Sequence, residues 1–131
     1  MDLSLGPWKG EMSVEETLRQ PLADAMGAEA WKIVEKTPGF TPKKSPKGKA
    51  ASAGYAISGK VTNAIKDGRK VTVMATFQVW VDGTFPNVTP ITGQATAEGS
   101  MTAVDAIRDI TEERITKILG LIKAGSIIKA K

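Results

Sequence analysis

Between Tyr55 and Val81 the chain alternates apolar and polar residues with a period of two, interrupted by an Asp67-Gly68 dipeptide. Tyr55, Ile57, Gly59, Val61, Asn63 and Ile65 fall on one side of the first stretch. Val71, Val73, Ala75, Phe77, Val79 and Val81 fall on one side of the second. This alternation predicts two half-buried strands joined as a hairpin. A two-residue turn at Asp67-Gly68 pairs Lys66 with Arg69, sets odd positions against even ones and splits the apolar residues between the two faces. A three-residue loop, Lys66-Asp67-Gly68 with Gly68 left-handed, restores the parity. It predicts the pairs Asn63–Val71, Val61–Val73, Gly59–Ala75, Ile57–Phe77 and Tyr55–Val79. A wrong register exposes several large side chains at about 1.5–3 kcal/mol each, so the apolar face decides the choice.

Elsewhere the period changes. The opening "LSLGPW" reads as a short apolar strand stopped by Gly6-Pro7. Ser13 and Glu16 have the spacing of a capping box, and Val14, Leu18, Leu22 and Met26 follow at fourfold spacing, which predicts a helix. Pro21 kinks or divides that helix, and Gly27 stops it. Ala30–Lys36, "AWKIVEK", reads as a short strand with Trp31 and Ile33 facing one way. Residues 37–52 hold three prolines, two glycines and four lysines without periodicity, and read as a flexible basic loop.

After the hairpin and the connection "GTFPNVTP", the stretch "ITGQATAEGS" alternates small and polar residues as a further strand. Thr102 with Asp105 opens a second helix, whose stripe is Val104, Ile107, Thr111, Ile115, Ile118 and Ile122. Lys123 and Gly125 fit its end. The tail "SIIKAK" is an edge strand or frayed. The whole is one α+β domain, residues 1–131, ordered β-α-β-β-β-β-α: an antiparallel or mixed sheet with two helices packed on one face.

Composition narrows the chemistry more than it fixes a role. The 131 residues include no cysteine and no histidine. Disulfides, thiol nucleophiles, thiolate metal sites and imidazole bases are therefore all absent, and the pattern calls for no metal and no cofactor. Carboxylates remain as acid–base groups, but Asp105, Asp109, Glu112 and Glu113 share a helix with Arg108, Arg114 and Lys117 and read as a solvated face. No phosphate-binding loop or dinucleotide fingerprint is present. No apolar run reaches the ~18–20 residues that span a bilayer. The first residues lack a signal peptide's charge and apolar core, so the chain reads either as cytoplasmic or as starting after a removed export signal with Met1 added.

The net charge of +4 is concentrated in Lys43, Lys44, Lys47 and Lys49 and in the tail. Four lysines without arginine or stacking aromatics make a weak nucleic-acid or anionic-lipid footprint, so nucleic acid is disfavoured as a partner. Asn87-Val88-Thr89 matches a glycosylation sequon. On the otherwise polar face of the second hairpin strand, Trp80 and Met74 are outliers, and Phe85 follows in the next connection. These three are the candidate partner-binding residues. The opposing reading has the 37–52 loop or Trp8 covering Trp80.

The pattern Ala-x-Tyr-hydrophobic-hydrophobic-x-Gly-x-Val in "AGYAISGKVTN" resembles the central strand of small bacterial envelope domains of the TolB amino-terminal type, which include lipoprotein activators of penicillin-binding proteins. Gly54 stands where that group often has an acidic residue. The resemblance implies a helix and strand before the motif, a hairpin after it and a closing helix, with action through protein contacts. Taken together, these readings point to a non-enzymatic adaptor of the bacterial cell envelope, in the periplasm if an export signal was removed, with a membrane link only through a lost lipid anchor. Its partner is another protein, and self-association by sheet-edge pairing is compatible with the layout. The alternative is a basic module acting through Lys43–Lys49.

Overall fold

A computed structural model describes residues 1–45, 54–68, 70–83, 91–98 and 103–127, with Lys66 and 91–98 described by their backbone. Among the described residues five strands and two helices follow in the order β1 (Asp2–Gly10), α1 (Glu16–Glu35), β2 (Thr41–Lys44), β3 (Tyr55–Asp67), β4 (Lys70–Val81), β5 (Ile91–Glu98) and α2 (Ala103–Lys123). The sheet order is β2-β1-β3-β4-β5. β1 runs parallel to both β2 and β3, and β3, β4 and β5 form an antiparallel meander. The fold class is the expected α+β, with a mixed sheet and both helices on one face.

The core lies between that face and the helices. Leu3, Leu5, Ile57, Val61, Val73, Ala75 and Phe77 from the sheet meet Leu22, Met26, Ile33, Ile107, Ile115 and Ile118 from the helices. α2 follows its predicted stripe and ends as expected. Gly125 takes a positive φ of 70°, the Ser126 N–H bonds back to the Leu121 carbonyl at 3.0 Å, and the Gly125 N–H bonds to that of Ile122 at 3.1 Å. This is the left-handed glycine cap that satisfies the last helical carbonyls. Ile127, just beyond it, is buried, and its carbonyl accepts the Tyr55 hydroxyl at 3.2 Å.

Several local expectations are corrected. Residues 30–36 form no strand, because α1 runs unbroken to Glu35. Leu22, Met26, Ala30, Ile33 and Val34 recur at helical spacing and all are buried, so the longer period governs. Pro21 costs α1 an N–H without dividing it. Gly27 does not stop the helix. A Cβ there would stand 2.7 Å from Cδ1 of Trp8, and one at Gly59 would stand 2.7 Å from Sδ of Met26 and 2.8 Å from Cζ3 of Trp8. The two glycines form a slot that holds the Trp8 indole between α1 and β3. β1 likewise passes through Gly6-Pro7 instead of stopping. A register shift between Leu5 and Trp8 brings Trp8 onto the helix side opposite Gly59.

Ser13 does not cap α1, which begins at Glu16 without a side-chain cap; its hydroxyl donates to the Thr62 carbonyl at 2.6 Å. Within the expected basic loop, Thr41–Lys44 pairs with β1 as the edge strand β2. Residues 46–52 lie outside the described residues, as do Thr102, the sequon and the last four residues of the tail.

The hairpin register also differs. Asp67 pairs with Lys70 and Asn63 with Met74; beyond Thr62 the pairs are Val61–Ala75, Gly59–Phe77, Ile57–Val79 and Tyr55–Val81. Gly68 is left-handed, with φ 60°, as expected. Parity is repaired by one extra residue, Thr62, bulged out of β3, and not by a longer turn. The bulge carries a cost for the prediction: Asn63 and Ile65 leave the helix face for the opposite one, and Ala64 replaces them.

The Trp8 slot yields a test. Gly59→Ala should lower stability by about 1–3 kcal/mol in urea unfolding, because the added methyl must displace an indole and a buried Met26. Gly120→Ala, in α2 with open space around it, should instead raise stability by about 0.5–1 kcal/mol.

Candidate binding face

Strand alternation fixes which side chains share the face opposite the helices. β4 contributes Thr72, Met74, Thr76, Gln78 and Trp80, all half-buried, between the buried odd-numbered residues. The register adds Ala56, Ser58 and Lys60 from β3, with Asn63 and Ile65 beyond the bulge. From β1 come Ser4 and Lys9, and from β2 Lys43, which lies beside Ser4. Among the described residues no helix packs on this face, since both pack on the other.

Trp80 lies opposite Ala56, and its Nε1–H donates to the Ser58 hydroxyl at 3.2 Å. This fixes the indole against the sheet and explains why Ala56 and Ser58 are buried on an otherwise wet face. Trp8 is on the helix side, so it does not cover Trp80. Pro7, Lys9, Lys60 and Gln78 join Trp80 and Ser58 around a groove of about 340 Å³. Lys9 and Lys60 are direct neighbours in the β1–β3 ladder, a like-charge pairing that opposes strand association. Glu11 reaches Lys60 at 3.6 Å, and both groups are solvent-exposed, so the ion pair offsets little of that repulsion.

At the other end, Met74 is half-buried opposite Asn63, and Ile65 is 51% exposed two pairs further along, at the next pair on this face. Diagonal neighbours on a sheet face lie within reach of long side chains, so Met74 and Ile65 form a small apolar patch. Of the sequence candidates, Trp80 and Met74 therefore share one face. Phe85, Lys47 and Lys49 lie outside the described residues. Lys43 and Lys44 fall on opposite faces of the sheet. Lys43 lies on the open face, while Lys44 pairs with Leu5 and borders a separate groove of about 390 Å³ beside Trp8, Ala23, Asp24 and Trp31.

The sequence reading missed Ile65, Lys9 and Lys60. Ile65 was hidden by the bulge, and Lys9 by the irregular passage through Gly6-Pro7. The parity conflict at Asp67-Gly68 was the available signal, and a bulge resolves it as well as a longer turn does. On α2, Asp109, Glu112 and Glu113 stand in solvent with Arg108 and Lys117. Among the described residues no group of three acidic side chains is placed to hold a metal ion, and no helix is long and apolar enough to cross a membrane.

No family model matches the chain, and no curated protein matches it in sequence. Solved structures do match in fold. The PelC dodecamer from Paraburkholderia phytofirmans is similar at 14% identity and TM-score 0.60, covering 86% of this chain and 83% of that one. A hypothetical protein from Chlamydia trachomatis is similar at 7% identity and TM-score 0.61, covering 94% and 96%. A minor lipoprotein from Acinetobacter baumannii is similar at 13% identity and TM-score 0.52, covering 98% and 97%. At these identities the likeness is one of fold.

Ser58→Ala should cost about 0.5–1.5 kcal/mol of stability, the usual net value of one hydrogen bond, and speed hydrogen exchange of the Trp80 indole N–H, read by NMR. An unchanged exchange rate would remove Ser58 as the group that fixes the indole.

Proposed function

We propose that this domain is an accessory or adaptor module of the bacterial cell envelope that acts by protein–protein contact and not as an enzyme. The observation that carries the reading is the sheet face left open by both helices, with Trp80 fixed at one end and Met74 and Ile65 at the other. A half-buried indole held by Ser58 is pre-organised, so little side-chain entropy is lost when a partner covers it. Aromatic residues of this kind commonly anchor interfaces. The absence of histidine and cysteine from the sequence leaves little acid–base or nucleophilic chemistry to compete with that role.

The envelope location draws support from the shared fold of the Acinetobacter minor lipoprotein. The finer likeness to TolB amino-terminal domains and activators of penicillin-binding proteins rests on the Tyr55–Val61 strand pattern. Self-association belongs to the same reading, since PelC, similar in fold, is a dodecamer. A second reading, anion binding, is favoured by one observation: Lys43, Lys9 and Lys60 share the face with Trp80. The pairing of Lys44 with Leu5 on the other side weakens its original form, in which Lys43–Lys49 act as one patch.

Cross-linking in the native host separates the two. Replacing Trp80, Met74 and Ile65 together by alanine should lower partner capture by at least about tenfold, the equivalent of one to two modest hot spots, when compared at a temperature well below the variant's unfolding midpoint, which falls with loss of the Trp80–Ser58 hydrogen bond. Replacing Lys9 and Lys60 by glutamate should leave most capture intact if the apolar contacts dominate. Loss of capture only in the lysine variant, with steep salt dependence, would favour the anionic ligand.

A further inference from the structure

The two edges of the sheet are built differently. β2 closes one edge with four residues, Thr41–Lys44, which include a proline that has no N–H to offer and two lysines. Short length, proline and lysine are the devices by which an edge strand discourages further pairing. β5 closes the other edge with eight residues, Ile91–Glu98, and its sequence "ITGQATAE" has no proline, no lysine and a single charge at its last position. All eight pair with Lys70–Phe77 of β4 on the inner side, so the ladder is regular along the whole strand. Among the described residues no strand pairs with the outer side of β5, and a regular strand so placed presents a row of backbone N–H and C=O groups outward, a template for one more strand.

We propose that β5 takes up β5 of a second copy of this chain, antiparallel, about a two-fold axis at Gln94. This deepens, and rests on, the reading that the domain works by contact between proteins. Antiparallel pairing about a two-fold is self-complementary by construction. With the axis at Gln94, Thr92 stands opposite the partner's Thr96, Gly93 opposite the partner's Ala95, and Gln94 opposite the partner's Gln94. Threonine–threonine pairs are favourable across strands, and no like charges oppose, because Glu98 lies opposite position 90, beyond the strand start. Pairing of this kind extends the sheet to ten strands and joins two open faces into one. The guarded β2 edge ends the assembly on each side, so the edge contact closes as a dimer and does not propagate.

The cysteine-free sequence gives a clean test. Residues directly opposite in an antiparallel ladder have Cα atoms about 4.5–5.5 Å apart, inside the range a disulfide spans. In the full chain, Gln94→Cys should therefore form an intermolecular disulfide on mild oxidation at least about tenfold faster than Thr41→Cys on the β2 edge, because paired strands raise the effective thiol concentration. An equimolar mixture of Thr92→Cys and Thr96→Cys should cross-link as the heterodimer faster than either variant alone, which fixes the register. Sedimentation of the unmodified chain should show a concentration-dependent dimer, so the proposal does not hang on any variant folding. Equal rates at Gln94 and Thr41, a chain that stays monomeric at millimolar concentration, or association without cross-linking at Gln94 would each overturn it. A monomeric chain that still loses its host partner on alteration of Trp80, Met74 and Ile65 would sink the edge pairing alone. Retained capture in that variant sinks the face reading instead.

Discussion

A sheet buried on one face must keep each strand in phase with the helices that cover it, and in this protein a single extra residue at Thr62 does so. Without the bulge, a tight turn after Asp67 would set the apolar residues of β3 and β4 on opposite sides, exposing several of Ile57, Val61, Val73 and Phe77. Each misplaced side chain forfeits about 1.5–3 kcal/mol, against the much smaller loss of one ladder position. The bulge is tied down from outside the hairpin. Ser13 donates to the Thr62 carbonyl, the Glu11 N–H bonds to the Val61 carbonyl at 2.9 Å, and the Asn63 side chain accepts the Ala64 N–H. The connection from β1 to α1 is thus anchored on the irregularity that keeps β3 in phase.

From this follows the division of labour between the two faces. Apolar burial is spent on the helix side, where Trp8 fills the slot between Gly27 and Gly59 and lets α1 lie close to the sheet. The side left open carries polar side chains, broken by Trp80, Met74 and Ile65. Ile65 owes its exposure to the same bulge: the residue that restores phase for Val61 and its predecessors turns Ile65 outward. An apolar side chain displaced onto the wet side is a cost to the isolated domain, and it becomes a gain once another molecule covers it.

Much of this could be read in advance where local pattern and final structure obey the same physics. α2 has a long amphipathic stripe and a glycine stop, and both appear where expected, because no distant contact competes with them. The period-two alternation of β4 likewise placed Trp80 and Met74 correctly. Misreadings arose where a distant partner decides. Gly27 looks like a helix stop until Trp8 is known to lie against it. Ala30–Lys36 alternates like a strand over too few residues to outvote the helical spacing from Leu22 to Val34. β2 has four residues, a proline and no periodicity, and it exists through its pairing with β1. Ile65 was assigned to the buried face because a bulge leaves no mark in composition.

If the open face is a working surface, a partner must cover Ile65 in the cell, and chemical protection of Ile65→Cys tests this most directly. In the purified cysteine-free chain this thiol should react with a maleimide about as fast as Met12→Cys, at an exposed position in the connection from β1 to α1. Inside its native host the Ile65 thiol should be protected, with Met12→Cys still reactive. Equal reactivity of the two thiols in both settings would contradict the central claim.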